Sequence, residues 1–398
     1  MIQKLNSVFR PESKYRQFFM AVFCMSLAYG LYKGIIDNYL AEIVTMSEFD
    51  RGVAEFFREL PGLSLVFVLA LFSTSSAETM YKAGAFIMLA GMALHGILPA
   101  DRVLVTFAIC LYSLGEHIQL GMRNTLSLEY SKPGCSGTAL GLQNSINQVG
   151  TLAGYAVIIV AFLFVSGIRA YKTFFLIAAV IVGIGAMVSL GMTGSSQTDK
   201  SKSRFYFRKK YTKFYFLEVF YGARQQVFLT FGPYVLILFY GASTTVISFL
   251  FAVSAVCCFL AAPVVGKIID RLGYKIVMVM DTLILVVVCF FYGFAHHIFP
   301  REAAFIVCCL NYILDSVISL ASMASNVYVQ DISDSPEEVR ATISTGISVN
   351  HLISVLIALL GGWIWKTLGI ETLFTISAVL GLCNSAYAAS IRVPAKER

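Results

Sequence analysis

Charged residues are scarce in this chain of 398 residues. Asp, Glu, Lys and Arg make up 13% of the sequence, whereas apolar residues make up 58%. Because a soluble globular protein carries about 25% charged residues, this composition excludes a water-soluble domain. The nine cysteines form no C-x-x-C motif and lie almost entirely within apolar segments, so neither a disulfide framework nor a zinc site is indicated. We therefore expect no metal and no cofactor.

Sequence motifs for phosphate binding and for catalysis are also missing. No G-x-x-x-x-G-K-[ST] loop occurs, so a pump driven directly by ATP is unsupported. The sequence shows no His/Asp/Glu cluster with metal spacing and no nucleophile with a plausible base beside it, which argues against an enzyme. We expect that the protein is not an enzyme, and a membrane enzyme or a sensor is the less favoured alternative.

What the sequence does have is long apolar runs bounded by charged or turn residues. They predict an all-α membrane protein with twelve transmembrane helices in two pseudo-symmetric halves of six. The halves cover 1–192 and 213–398, with a basic linker over 193–212. The predicted spans are 17–43, 52–73, 83–98, 102–124, 137–165, 170–191, 213–240, 244–265, 275–296, 302–327, 340–365 and 371–391.

Positive charge is concentrated around the linker. Seven Lys or Arg residues between 193 and 213 face a single acidic residue, Asp199, a pattern typical of a cytoplasmic loop. With this loop inside, the sequence predicts a multi-pass protein of the cytoplasmic (inner) membrane with both termini in the cytoplasm. The net charge of +7 is then explained by basic residues on the cytoplasmic side of the bilayer, and not by nucleic-acid binding. We expect a monomer whose partners are lipid and a small-molecule substrate.

Two short polar segments support an internal repeat. Residues 145–148 read SINQ in the fifth span, and residues 348–351 read SVNH in the eleventh. Parallel repeats of this kind occur in transporters. Asn147 and Asn350 within them are candidates for substrate contact, and hydrogen bonds between helices explain them equally well.

Every third span carries a polar stripe along one helical face, which cannot face lipid. The stripes lie in the first, fourth, seventh and tenth spans. Their members are Ser26, Tyr29, Lys33 and Asp37; Glu116, Gln119 and Arg123 with His117 beside them; Arg224, Gln225 and Gln226; and Asn311, Asp315, Ser319, Ser322 and Asn326.

The segment from Gly266 to Lys275 reads GKIIDRLGYK. It is similar to the G-x-x-x-D-R-x-G-x-K loop of the major facilitator superfamily of secondary transporters, which the six-plus-six plan, the basic central loop and the spacing of the polar spans also resemble. The resemblance implies alternating access of two halves around a central site. It also implies a cytoplasmic latch, in which Asp270 meets a helix N-terminus and the basic residues meet the membrane surface.

The resemblance has limits in the first half of the chain. The corresponding loop, 73–83, lacks the pattern and keeps only Glu78 and Lys82 as remnants. The fifth span has no proline between 141 and 154, whereas proton-coupled drug exporters carry a Gly-Pro signature there. A drug exporter is therefore the less favoured type of transporter.

Intramembrane ionisable residues are the main functional candidates. Arg224 with Gln225 suits an anionic substrate group, and the alternative is a structural ion pair with Glu116, Asp37 or Asp315. The substrate-binding candidates are Arg224, Gln225, Tyr29, Lys33, Asn311, Asn147 and Asn350.

Glu116 and His117 are the leading candidates for proton coupling, because a buried carboxyl and an imidazole can both titrate in a physiological range. Asp315 and Asp37 are the further candidates, and His117 alternatively only bonds a neighbouring helix. Lys33 and Asp37 either pair with each other or form an outer gate with Arg58 and Glu59. The gating candidates are Asp270, Arg271, Gly266, Gly273, Lys275, Arg58 and Glu59.

These patterns predict a secondary active transporter, a symporter or an antiporter with H⁺ as the candidate coupling ion, that moves a small polar or anionic organic solute. The alternative is a broad exporter of amphipathic or cationic compounds. In that case the acidic residues Glu116, Asp37 and Asp315 recognise the cargo.

Overall fold

The computed structural model describes residues 7–71, 75–192 and 207–391, so most of the predicted linker, 193–206, lies outside the described residues. Within them the chain is helical and has no β-strand beyond an isolated bridge between Phe9 and Ser131. The long helices are α1 Tyr15–Ile43, α2 Glu48–Leu71, α3 Ala77–Ile97, α4 Arg102–Tyr130, α5 Ser136–Ala161, α6 Gly167–Leu190, α7 Thr212–Leu238, α8 Thr244–Leu272, α9 Tyr274–Ile298, α10 Arg301–Ile332, α11 Pro336–Leu368 and α12 Ile370–Ala389.

Nine of the helices in the described ranges are long and apolar enough to cross a membrane. The other three, α2, α5 and α7, are long enough but contain more polar or charged residues. Large apolar side chains lie on the surface, and Phe164 and Val103 are 82% and 75% exposed. A surface of this kind fits a lipid environment. The prediction of an all-α membrane protein is confirmed, whereas the number of spanning helices stays a prediction.

Local sequence signals set several helix ends. The Asp101 carboxylate accepts hydrogen bonds from the backbone N–H groups of Val103 and Leu104 at the start of α4. Ser335 caps α11 in the same way, directly before a proline at the first helical position. These residues satisfy N–H groups that have no partner within the helix. Gly273 and Gly369 lie between consecutive helices with φ values of +84° and +89°, a conformation that glycine adopts without strain.

The chain divides into two compact units whose limits differ from the ends of helices. The first residues of α2 belong to the second unit and those of α8 to the first. The N-terminal unit comprises Met1–Thr45, Phe57–Ser201 and Ser243–Ala252, and the C-terminal unit comprises Met46–Phe56, Lys202–Ala242 and Val253–Arg398. The predicted halves 1–192 and 213–398 stay a prediction.

The helix packing of one unit recurs in the other, six helices later. In the N-terminal unit α1 packs on α5 and α6, and α3 packs on α4 and α6. In the C-terminal unit α7 packs on α11 and α12, and α9 packs on α10 and α12. A glycine allows the close approach in each unit: Gly30 lies against the backbone of Thr151 and Gly154, and a Cβ atom at Gly222 would lie 2.9 Å from the Asn350 side chain. Small residues at helix contacts are typical of membrane proteins.

The tenth helix contains an interruption. Its α-helical parts, Arg301–Ile318 and Met323–Ile332, are joined by a short 3₁₀ segment, Ser319–Ser322. The Tyr221 hydroxyl of α7 donates a hydrogen bond to the Ser319 carbonyl oxygen at 2.7 Å. A 3₁₀ stretch within a helix often marks a hinge or a strained sequence.

Salt bridges hold the described end of the basic linker on the C-terminal unit. Lys210 donates to the Asp334 carboxylate at 2.7 Å, and this hydrogen bond raises the pKa of Lys210. Arg208 lies 3.4 Å from the buried carboxylate of Glu338. Both acidic residues lie where α10 ends and α11 begins, so they fix the start of α7 near that connection.

Candidate functional site

A buried arginine joins three helices of the C-terminal unit. Arg224 of α7 is 1% exposed. Its Nη2 atom lies 3.5 Å from Asp281 Oδ2 on α9, and its Nη1 atom lies 3.6 Å from Asp315 Oδ1 on α10. The guanidinium carbon lies 4.8 Å from the centre of the Tyr221 ring, within the range of a cation–π interaction. We call Arg224, Asp281 and Asp315 the charge centre.

The charge centre contains two carboxyl groups for one guanidinium group. Both ion-pair distances exceed the roughly 2.7–2.9 Å of a close charge-assisted hydrogen bond, so neither carboxyl group holds the arginine tightly. Since an uncompensated charge in the membrane interior is costly, the centre is electrically balanced when one carboxyl group carries a proton. A further cation near the carboxyl groups would balance it in the same way.

Two cavities flank the charge centre. The larger has a volume of about 190 Å³ and includes Asp315 in its wall. The smaller, of about 20 Å³, includes Asp281, Glu218 and Tyr221, and this is enough room for one water molecule. The other residues of the larger cavity offer both hydrogen-bonding and apolar groups: Gln225, Phe228, Leu229, Tyr312, Ser316 and Ser319.

Two predicted substrate residues of the N-terminal unit have polar partners in that unit. Lys33 of α1 contacts Asp37 at 2.8 Å, and its Nζ atom lies 4.9 Å from the Phe251 ring. The Asn147 side-chain oxygen accepts hydrogen bonds from Ser26 at 2.8 Å and from Arg123 at 2.6 Å. Asn147 therefore links α5 to α1 and α4, as in the hydrogen-bond alternative.

The other predicted substrate residues occupy different surroundings. Tyr29 is half-buried on α1. Asn311 is buried, and its amide donates to the Val307 carbonyl oxygen of its own helix at 2.8 Å. The Asn350 oxygen accepts a hydrogen bond from Ser354 at 3.4 Å. Two of the predicted substrate residues lie close together: Arg224 belongs to the charge centre, and Gln225 lies in the wall of the larger cavity.

The proton-coupling candidates of α4 lie near Arg58, in the middle of α2. Glu116 is half-buried in the field of positive charges on Arg58, Arg123 and Lys33. His117 Nδ1 lies 2.8 Å from the Ser113 carbonyl oxygen, one turn earlier in α4. Arg58 forms an ion pair with the neighbouring Glu59, and its carbonyl oxygen accepts a hydrogen bond from Ser113 at 2.5 Å.

The predicted latch residues lie at the connection between α8 and α9. Asp270 and Arg271 are exposed, and their side chains form no hydrogen bond or ion pair with the part of the chain that the structure describes. Lys275 donates to the Ile391 carbonyl oxygen at 2.9 Å. Gly273 provides the tight turn between the two helices, and Gly266 borders open space. The roles of all predicted site residues stay predictions.

The structure also brings polar residues together that the sequence does not single out as a site. Asp281 completes the charge centre, although it is the one carboxyl group within an otherwise apolar helix. Gln226 donates to the buried Glu55 carboxylate at 3.0 Å, and Glu55 also pairs with Arg51 at 2.7 Å. The i,i+4 spacing of Arg51 and Glu55 is a signal that could have identified this second network.

Residues 214–398 match the sequence model of the Major Facilitator Superfamily, and the fold agrees along the rest of the chain. The match covers a little under half of the chain, and the predicted resemblance to this superfamily is confirmed. The prediction of a membrane transport protein rather than an enzyme is thereby confirmed. No curated protein sequence matches the chain.

Solved structures of membrane transporters share its fold. A mutant of the nucleoside transporter NupG superposes with a TM-score of 0.76 at 16% identity, over 95% of this chain and 99% of that one. A POT family transporter in complex with 5-aminolevulinic acid gives a TM-score of 0.75 at 10% identity, over 93% and 94%. A D-xylose-proton symporter gives 0.72 at 15% identity, over 95% and 98%. At these identities the likeness shows the fold and not the substrate.

Proposed function

We propose that the chain is a proton-coupled secondary transporter that moves a small polar or anionic organic solute across the cytoplasmic membrane by alternating access. Its halves would be 1–192 and 213–398, with both termini in the cytoplasm and the monomer as the working unit. The observation that carries this proposal is the charge centre, in which Arg224 lies between Asp281 and Asp315 beside a cavity.

The charge centre can link proton binding to substrate binding. When a proton binds Asp315, the attraction between that group and Arg224 falls, and the guanidinium group can then bind an anionic or polar solute group in the larger cavity. When the solute leaves, Arg224 attracts the carboxyl group again and the proton departs. In this scheme the proton and the solute bind in the same conformation, which is the requirement for symport.

The two cavities suit the binding of a solute and the passage of a proton, respectively. The larger one, at about 190 Å³, is below the range of about 300–1,000 Å³ that is typical of drug-sized ligands. Its amide and hydroxyl groups suit a small polar solute. The smaller cavity beside Asp281 has room for one water molecule, which could carry a proton to the centre. A nucleoside transporter and a D-xylose-proton symporter share the fold, and nucleosides and D-xylose are small polar solutes of the kind proposed for this chain.

One observation favours the alternative function, export of cationic compounds. Two carboxyl groups face a single guanidinium group, so a positively charged substrate would neutralise the second carboxylate without any proton. In that case a bound proton and a bound cation exclude each other, which is the requirement for antiport.

The first step of the test is to find a ligand. Thermal unfolding of the purified protein would be followed with nucleosides, pentoses, dipeptides, short carboxylic acids and the amphipathic cation tetraphenylphosphonium, at two pH values. A ligand raises the unfolding temperature only if it binds the folded state better than the unfolded one. Stabilisation by a neutral or anionic solute supports the proposal, and stabilisation by the cation alone supports the alternative.

The second step uses the solute that binds, in proteoliposomes with an imposed pH gradient. We expect Asp315→Asn to abolish uphill accumulation but to retain exchange of labelled for unlabelled solute, because the variant lacks only the proton-binding group. Glu116→Gln is the matched variant in the N-terminal unit. Loss of uphill transport in Glu116→Gln but not in Asp315→Asn would move the coupling site to that unit, and full activity of both variants would contradict proton coupling through either residue.

A further inference from the structure

Two histidines and a glutamate form a cluster away from the charge centre. His296 and His297 are in the last turn of α9, and Glu371 is in the first turn of α12. Their side chains are 16%, 58% and 31% exposed, respectively. All three belong to the C-terminal unit, and the predicted topology puts this end of both helices outside the cell.

Three metal-ligating atoms converge within this cluster. His296 Nε2 and His297 Nε2 lie 3.2 Å and 3.0 Å from the same oxygen atom, Glu371 Oε1. The two imidazole rings have centres 3.9 Å apart. Neighbouring residues of a helix normally point in different directions, so the convergence of two adjacent imidazoles on one oxygen atom is unusual.

The distances match those in a metal site. A tetrahedral ion with bonds of about 2.0–2.1 Å to nitrogen and oxygen holds its ligand atoms about 3.3 Å apart. The two nitrogen–oxygen distances are within a few tenths of an ångström of this value. Imidazole and carboxylate are the ligands that Zn²⁺ and neighbouring divalent transition metals prefer. Three protein ligands leave one position open for water.

The surroundings of the cluster also favour a cation. The histidines lie at the C-terminal end of α9, where the unpaired carbonyl groups give the helix a partial negative charge. Gly369, with φ of +89°, precedes α12, and a Cβ atom there would lie 2.7 Å from Glu371 Oε2. The glycine thus leaves room for the glutamate to fold back towards the histidines.

We propose that His296, His297 and Glu371 bind one divalent transition-metal ion, such as Zn²⁺, on the outer side of the C-terminal unit. The bound ion would connect the end of α9 to the start of α12. The alternative is an ordinary ion pair between protonated histidine and Glu371, which would bind no metal.

The test measures Zn²⁺ binding to the full chain, purified without a histidine tag, by calorimetry and thermal unfolding. We expect one Zn²⁺ per chain at this site and a rise in unfolding temperature that EDTA reverses. His297→Ala and Glu371→Gln should each weaken binding at least tenfold. Glu302→Gln is the matched control, since Glu302 is an exposed carboxylate in the first turn of α10, and it should bind Zn²⁺ like the unmodified chain.

A second measurement does not depend on the folding of the variants. Co²⁺ bound to the unmodified chain should give visible absorption bands of a four-coordinate site with nitrogen and oxygen ligands, and Zn²⁺ should remove them. The proposal would be overturned if no Zn²⁺ bound, or if His297→Ala and Glu371→Gln, folded as judged by their unfolding temperature without metal, bound it as tightly as the control. The assay measures no transport, so its result is independent of the proposed function.

Discussion

The two units differ in how they hold their ionisable residues. In the N-terminal unit Lys33 and Asp37 are one turn apart on α1, and Arg58 and Glu59 are neighbours on α2, so these pairs form within a single helix. In the C-terminal unit Arg224 reaches carboxyl groups on two other helices. A pair within one helix needs only that helix, whereas the charge centre exists only when α7, α9 and α10 are packed together. Charge and helix packing are thus more strongly linked at the charge centre than in these two pairs of the N-terminal unit.

The largest effect is expected for Arg224→Gln. This change leaves Asp281 and Asp315 buried without their cation, and breaking a buried ion pair in this way costs about 3–5 kcal/mol. We expect a clear fall in the free energy of unfolding in detergent and loss of transport in proteoliposomes. A variant as stable and active as the unmodified protein would remove the difference between the units.

A triple variant serves as the control for this prediction. Arg224→Met combined with Asp281→Asn and Asp315→Asn removes all three charges, so it should recover much of the stability that Arg224→Gln loses. Transport should remain absent, because the groups that bind the proton and the solute are gone. Recovery of transport would show that the charge centre is purely structural.

A smaller loss is expected for Gln226→Leu. The buried Glu55 carboxylate then loses the amide donor at 3.0 Å and keeps its ion pair with Arg51. Loss of a hydrogen bond to a charged group costs about 1.5–3 kcal/mol, and we expect the lower end, measured by chemical unfolding. The neighbouring change Gln225→Leu is the control, since Gln225 is half-buried in the cavity wall and should affect solute binding more than stability.

The pair on α1 should contribute less than the pairs of the charge centre. In a double-mutant cycle with Lys33→Met and Asp37→Asn, we expect a coupling energy below about 1 kcal/mol, because Lys33 is 23% exposed and the pair lies within one helix. The same cycle with Arg224→Met and Asp315→Asn should give a larger value. Equal coupling energies in the two cycles would contradict the comparison.

The smallest effect on stability is expected for Asp270→Asn. Asp270 is exposed and has no polar partner among the residues that the structure covers, so the free energy of unfolding should change by less than about 0.5 kcal/mol. If the loop acts as a latch, the rate of transport will change while the apparent affinity for the solute stays the same. A changed preference among competing solutes would contradict the latch interpretation.

The fold class could be predicted from the sequence because membrane helices have a strong local signal. The apolar run at 83–98 corresponds to α3, and that at 302–327 corresponds to α10. The helix ends at Asp101 and Ser335 follow from capping residues that are visible in the sequence. The resemblance to the superfamily could be recognised from one loop, 266–275, because its glycine and charged residues occur at characteristic spacings.

The charge centre was only half predictable. Helical spacing identified Arg224 and Asp315 as polar positions of their spans and named the second as one possible partner of the first. It could not choose among Asp315, Glu116 and Asp37, because the pattern within one helix does not state which helices pack together. The sequence does not indicate Asp281 as a partner because the ninth span is otherwise apolar. The cluster of His296, His297 and Glu371 cannot be read from a local pattern either, because Glu371 lies 75 and 74 positions from the two histidines in the sequence.

The interruption of α10 has a mechanical consequence for the charge centre. The 3₁₀ segment Ser319–Ser322 begins one turn after Asp315, so the regular α-helical hydrogen bonding of α10 is interrupted directly after that residue. Asp281 belongs to α9, which is a continuous α-helix. We therefore expect a bend at the 3₁₀ segment to change the distance from Asp315 to Arg224 more than the distance from Asp281 to Arg224. The arginine would then keep Asp281 as its constant neighbour while Asp315 approaches or leaves it.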